Sequence, residues 1–300
     1  MSVLFFDTNS EVNYKLAKDL KLDNCIKMPY IIKDNEYYYD LGENYDINWF
    51  LNLIKEGNMP STAGLNPENY KEYLEPFFAK GEDILYISFS ESFSATFKSM
   101  DKAIEELKTK YPDAKFARFD SKAISMGYGL QVIEAAKMHN SGASNEEIVK
   151  FLEEFCPKIN SYIYVEDLHF LKSGGRLSAG QAFFGSLLKI KPIIKLDKQG
   201  KLNVYEKVNG TKKVHISIAK QVAENVRELD KYPIYIIDAG NKDGANLIKN
   251  KIINNLPEEQ AQKANIIIQD VGPVICSHCG PGTVGVCFVG EERPASIEAK

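Results

Sequence analysis

Strand-length apolar runs alternate with helix-period segments through the first half of the chain, and this alternation restricts the fold more than any other feature. Residues 3–6 read as a short strand, the polar turn Asp7-Thr8-Asn9-Ser10 as the cap of a helix reaching about Leu20, and residues 26–32 as another strand. Asn66-Pro67-Glu68 is a helix start, with a cap, proline at the first position and an early acid. Residues 83–88 are a strand, and Phe97, Met100, Ile104 and Leu107 then form one apolar stripe of a helix over 94–110. A strand at 114–119 and a helix over about 124–139 follow. Such a pattern predicts a mainly parallel sheet covered by helices on both faces, with ligands beyond the carboxyl ends of the strands. Three polar turns, at 7–10, 88–94 and 120–121, should gather on that edge.

The texture changes after a capping box, Ser144-Asn145-Glu146-Glu147, whose helix ends near Phe155 before Pro157. We place the domain boundary there, giving domains 1–158 and 159–300. In the second, strands are expected at 161–165, 192–196, 202–207, 234–237, 264–269 and 284–288, with the turn Asp197-Lys198-Gln199-Gly200 joining two of them as a hairpin. Helices over about 212–229 and from 244 would pack on a mixed or antiparallel sheet.

The charge balance excludes one class of function. A formal charge of −4, with Lys and Arg scattered along the chain, gives no basis for nucleic-acid attraction. The first residues lack a basic or signal-like segment, and the most apolar stretch, 182–196, is broken by Lys189, Lys191 and Lys195, so we expect a cytoplasmic protein with no membrane span. Five dispersed cysteines fit reduced thiols. Only Cys276-Ser277-His278-Cys279 has metal-like spacing, and a closed zinc site would need further ligands from isolated residues. We expect no metal and no cofactor.

Candidate chemistry concentrates in four segments. Ser88, Ser90, Ser92, Ser94 and Thr96 crowd the turn before the helix at 94–110. The first N–H groups of a helix have no intrahelical partner and the dipole there is positive, so N–H and O–H donors can hold a carboxylate or phosphate. A single serine capping its own helix is the simpler role. Pro60-Ser61-Thr62-Ala63-Gly64 is a second polar turn, in which Thr62 offers another hydroxyl. In Lys172-Ser173-Gly174-Gly175-Arg176, paired glycines permit close backbone approach and the arginine offers a forked permanent charge. His278, ahead of Gly280-Pro281-Gly282, is a candidate proton carrier or hydrogen-bond donor. Gly280-Pro281-Gly282-Thr283-Val284-Gly285 formally satisfies the dinucleotide fingerprint, but the 15 residues after Gly285 are too few for its βαβ unit.

Four motifs, three of them in these segments, carry a resemblance to the DegV family, bacterial fatty-acid-binding proteins of the FakB type. Ser94-Ala95-Thr96-Phe97 resembles the family's SGTY, and Asp167-Leu168-His169-Phe170-Leu171-Lys172-Ser173-Gly174-Gly175-Arg176 its DLxYLxxGGR. Ile190-Lys191-Pro192-Ile193 is similar to IKPI, and His278-Cys279-Gly280-Pro281-Gly282 to HxGPG. The chain departs from the family in three places: Ala63-Gly64-Leu65-Asn66 follows Thr62 where the family has TSQPS, Ala95 replaces a glycine, and Asn209 replaces a basic residue.

The resemblance implies a two-domain α/β protein, with a parallel N-terminal domain that holds the lipid head group and a C-terminal domain with a largely antiparallel sheet that closes an acyl tunnel. It implies no enzyme activity of its own. One long-chain fatty acid, such as palmitate, stearate or oleate, would be bound and its carboxylate presented to a fatty-acid kinase, which makes an acyl phosphate that an acyltransferase passes into phospholipid synthesis. Ser61, Thr62, Ser94 and the N–H of Ala95 would hold the carboxylate, with Arg176 and His278 lining the same end and positioning phosphate. Phe183, Phe184, Leu187, Leu188 and Ile190 would line the tunnel. Burying roughly 14 methylenes at ~0.8 kcal/mol each contributes about 11 kcal/mol before ordering costs, so the tunnel should set affinity and the hydroxyls orientation. A competing reading is a phosphoryl or acyl transferase that uses Arg176 and His278 on a small phosphorylated substrate.

Overall fold

The computed structural model describes residues 2–176 and 190–298, and these divide into two compact units. The first opens with β1 (Ser2–Asp7), a 3-10 turn at Thr8–Ser10, and α1 (Tyr14–Asp19). A single helix from the polar turn to Leu20 was expected. Instead Asp7 caps only the 3-10 turn, Glu11 takes φ 59° and stops it, and Asn13 starts α1 afresh by accepting from Leu16 N at 3.0 Å.

The apolar run at 26–32 likewise resolves into two strands. β2 (Asn24–Ile26) pairs parallel with β1, while β3 (Pro29–Ile32) forms an antiparallel hairpin with β4 (Asn35–Tyr38). Lys33 and Asp34 both take positive φ, as a two-residue hairpin turn requires. α2 (Ile47–Lys55) comes next, then β5 (Ser61–Thr62), α3 (Pro67–Phe78), β6 (Asp83–Ser88), α4 (Thr96–Lys110), β7 (Lys115–Asp120), α5 (Met126–Asn140) and α6 (Asn145–Phe155). The main sheet has the order β2-β1-β6-β7 and is parallel throughout. α4 buries Phe97, Met100, Ala103, Ile104 and Leu107, the stripe its spacing predicts. Each large side chain so buried stabilises by about 1.5–3 kcal/mol.

The second unit contains β8 (Ile159–Tyr164), α7 (His169–Ser173), β9 (Ile190–Leu196), β10 (Leu202–Asn209), α8 (Thr211–Asn225), β11 (Ile234–Asp238), α9 (Lys242–Asn255), α10 (Glu258–Lys263), β12 (Ile266–Asp270), α11 (Pro273–Cys279) and β13 (Val284–Val289). Its sheet has the order β10-β9-β8-β13-β11-β12, antiparallel at every step except β11 with β12. Asp197 shapes the β9–β10 turn by accepting from Gln199 N and Lys201 N, each at 2.9 Å. Tyr162, Ile193, Val214, Ile218, Ile236, Ile248 and Phe288 share one core.

A single division at 158 is corrected in one respect. The units are 1–45 with 62–156, and 46–61 with 157–300, so the chain enters the second unit at α2 and returns near β5. The packing reason is at Gly240, where a Cβ would lie 2.5 Å from Leu51 Cδ1, leaving room only for a bare backbone beside α2.

Candidate functional site

Parallel strand order brings the three polar turns of the first unit to one sheet edge. Ser88 pairs with Asp120 at the ends of β6 and β7, and Ser121 N donates to Ser88 O at 3.0 Å. Ser90 N continues the seam to Ala123 O at 2.8 Å. At the end of β1, Asp7 is fully buried: its Oδ1 accepts from Asn9 N at 2.9 Å and its Oδ2 from Tyr86 Oη at 2.8 Å. The Tyr128 hydroxyl lies 2.5 Å from Ile87 O and 3.2 Å from Asp7 Oδ2. Burial outweighs these donors and pushes the Asp7 carboxyl up to about 6.

The five hydroxyls of the central turn do different things. Ser88 and Ser90 are buried, Ser88 Oγ donating to Phe119 O and Ser90 Oγ pairing with Ser92 Oγ at 2.8 Å. Ser94 is half-buried, and its Oγ accepts from Thr96 N at 3.1 Å. That bond closes a serine turn just ahead of α4, whose cap position is Ala95, and it uses a lone pair rather than the hydroxyl proton, which stays available to a ligand. Ala95 is exposed at the start of the 15-residue helix α4, and its N–H takes no acceptor among the described residues. Here O–H and N–H stand next to each other at the positive end of a helix, an arrangement that suits a carboxylate or phosphate oxygen.

Thr62 belongs to the same unit, and the loop that follows it is fastened to α4: Leu65 N donates to Thr96 Oγ1 at 3.0 Å. Thr96 and its neighbour Tyr70, both buried, were not singled out by sequence reasoning. Thr96 stood among the five hydroxyls, but nothing local marks Tyr70. Ser61 falls in the second unit.

Arg176 and His278 also lie in the second unit. Arg176 follows α7, its N–H donating to Leu171 O at 3.0 Å and its Nη1 to Gly174 O. His278 is in the last turn of α11, and a Cβ on Gly174 would collide with its Nδ1, so the first glycine of the pair is required by the imidazole. Burial, with help from Arg176, lowers His278 to about 4. At that value the ring is neutral at pH 7 and offers one N–H. Cys276 and Cys279 are buried, and the described residues contain no group of three His, Cys, Asp or Glu placed to hold a metal ion. Phe183, Phe184, Leu187 and Leu188 lie outside the described residues, as does the side chain of Ile190. Among the described residues no helix is long and apolar enough to cross a membrane.

The chain is a two-unit α/β protein whose parallel-sheet unit sets O–H and N–H donors side by side at a helix start. The family model described as uncharacterised protein, DegV family, matches residues 4–291, and the chain belongs to that family. It is 33% identical over 291 residues to a DegV domain-containing protein of Clostridium perfringens, covering 97% of this chain and 98% of that one. A fatty acid binding DegV family protein from Streptococcus agalactiae has a crystal structure similar to this one, with a TM-score of 0.80 and 25% identity, covering 97% of this chain and 99% of its own. A DegV lipid binding protein from Thermotoga maritima matches with a TM-score of 0.79 and 25% identity over the same shares.

Proposed function

We propose that this chain binds one long-chain fatty acid, with its carboxylate on Ser94 Oγ–H, Ala95 N–H and Thr62, and presents that carboxylate to a partner kinase for acyl-phosphate formation and phospholipid synthesis. The observation that carries the reading is the pair of donors at the start of α4, where Ser94 keeps its proton and Ala95 its N–H. The Streptococcus agalactiae and Thermotoga maritima relatives, which bind a fatty acid and a lipid, support the ligand class. In this reading Phe183, Phe184, Leu187, Leu188 and Ile190 contact the acyl chain, and Ser61 adds a hydroxyl near Thr62. Arg176 meets the transferred phosphate with paired donors and His278 with a single neutral N–H. No proton-transfer role is assigned to His278, which its lowered pKa makes a weak base.

Protein purified from cells should release a fatty acid of about 16–18 carbons under denaturing mass spectrometry, as about 14 buried methylenes imply. Preparations that are consistently empty, and that take up neither palmitate nor oleate, would end the proposal. Ser94→Ala should weaken oleate binding about tenfold, the 1–2 kcal/mol of a charge-assisted hydrogen bond at a helix start, and leave oleyl alcohol unaffected. Equal losses for acid and alcohol would instead mean that Ser94 serves only the turn ahead of α4. The kinase partnership has its own test: loaded protein mixed with a bacterial fatty-acid kinase and ATP should yield acyl phosphate, and ATP turnover without it rejects that step.

A further inference from the structure

Thr96 occupies an unusual position in the hydrogen bonding of the first unit. Its Oγ1 receives Leu65 N at 3.0 Å, faces Leu65 O at 3.4 Å and lies 2.9 Å from Tyr70 Oη. A hydroxyl has one proton and two acceptor sites, so with the proton directed at Leu65 O, Tyr70 must be a donor and the group is saturated. Tyr70 is 0% exposed and Thr96 4%, so neither can exchange these partners for water. Burial holds the Tyr70 phenol above its ordinary pKa, which keeps it protonated and donating. The backbone of Thr96 meanwhile donates to Ser94 Oγ. One residue thus grips the Ser94 turn through its N–H and the loop after Thr62 through its side chain. Gly64 closes the junction, since a Cβ there would lie 3.3 Å from Thr96 Cβ. Leu65 is three residues beyond Thr62, a reach of at most ~10 Å of chain.

We infer that Thr96, seated by Tyr70, is the positioning residue that sets Thr62 against Ser94 and so determines how well the site separates a carboxylate from other head groups. The inference rests on the fatty-acid reading. Donors that share one carboxylate must be held to within about 0.5 Å, and short polar turns hold such tolerances only when anchored from behind. Thr96 touches neither the proposed ligand nor solvent, so its influence passes through Thr62 and Ser94.

The test measures affinity for oleate and for oleyl alcohol, together with thermal melting, in the full-length protein. Thr96→Val keeps the shape of the side chain and removes the hydroxyl; it should cut the acid-to-alcohol affinity ratio about tenfold, the size of one lost buried hydrogen bond. Tyr70→Phe should lower the ratio in the same direction, and Thr96→Ser, which retains the hydroxyl, should restore it. A purely structural role would lower the melting temperature of Thr96→Val and leave the ratio alone, and that result overturns the inference. Should Thr96→Val fail to fold, Tyr70→Phe decides, and an unchanged ratio there is equally decisive against it. A wild-type protein that binds oleate no better than oleyl alcohol overturns both this inference and the carboxylate site beneath it, whereas wild-type discrimination with insensitive variants overturns only the inference.

Discussion

Gly280→Ala is expected to cost about 3–5 kcal/mol of unfolding free energy, the sum of backbone strain and a steric clash in a packed region. Gly280 ends α11 at φ 76°, ψ 171°, a conformation open essentially to glycine alone. A Cβ there would enter the ring of Phe170, which is 7% exposed on α7. The ring cannot retreat cheaply, because α7 packs on α11 and the Gly174 that follows it is pressed against His278. Chemical denaturation of the variant should show the loss as a lowered midpoint at unchanged slope, and a midpoint equal to wild type would refute the steric argument. If the fatty-acid reading is right, the same variant should also copurify with less lipid, since both Arg176 and His278 depend on this junction.

Acid should stabilise the first unit through Asp7. Its folded-state pKa of about 6 lies above the ordinary value of 3.8, so the native protein holds the proton to higher pH than the unfolded chain does. The sign follows: this contribution is fully present below about pH 4, falls as pH rises towards 6, and is lost above it. Two pKa units at ~1.4 kcal/mol each give about 3 kcal/mol across that window. Asp7 is 0% exposed, so solvent screening does not reduce the figure. Exposed carboxylates such as Glu75 and Glu91, whose pKa values are lowered by Lys110 and Arg118, act in the opposite direction, so the comparison must be differential. Wild-type minus Asp7→Asn stability, measured by urea titration between pH 4 and 7, should decline by about 3 kcal/mol with rising pH. A flat difference curve would contradict the burial account.

The elements that were legible in the sequence are those whose signal is local. The apolar stripe of α4, the Asn66 and Ser144 caps, and the β9–β10 turn all depend on neighbours a few residues away, and each lies where its pattern predicts. The start of α3 carries more than the cap read from sequence, since Asn69 completes a capping box with Asn66. The hairpin β3–β4 was hidden because β4 has all four residues exposed and thus no alternation to read. α2 went unassigned, and its grouping with the second unit depends on Leu51 meeting Gly240, a pairing no window of sequence contains. The candidate site follows the same rule. Ser94 and Ala95 are visible because they stand at a helix start, while Tyr70 and Thr96 acquire their relation only when α3 and α4 pack together.

The excursion of residues 46–61 into the second unit bears on how the protein is made. The first unit is otherwise complete once residue 156 has been synthesised, yet α2 has no place within it. At roughly 5–20 residues per second, Gly240 follows Leu51 off the ribosome by on the order of ten to forty seconds. Throughout that interval Phe50 and Leu51, 0% and 7% exposed in the finished protein, belong to a helix whose partners do not yet exist. A nascent chain stalled anywhere between 156 and 240 should therefore display a sticky loop on an otherwise finished body, and chaperone capture during synthesis should peak in that window.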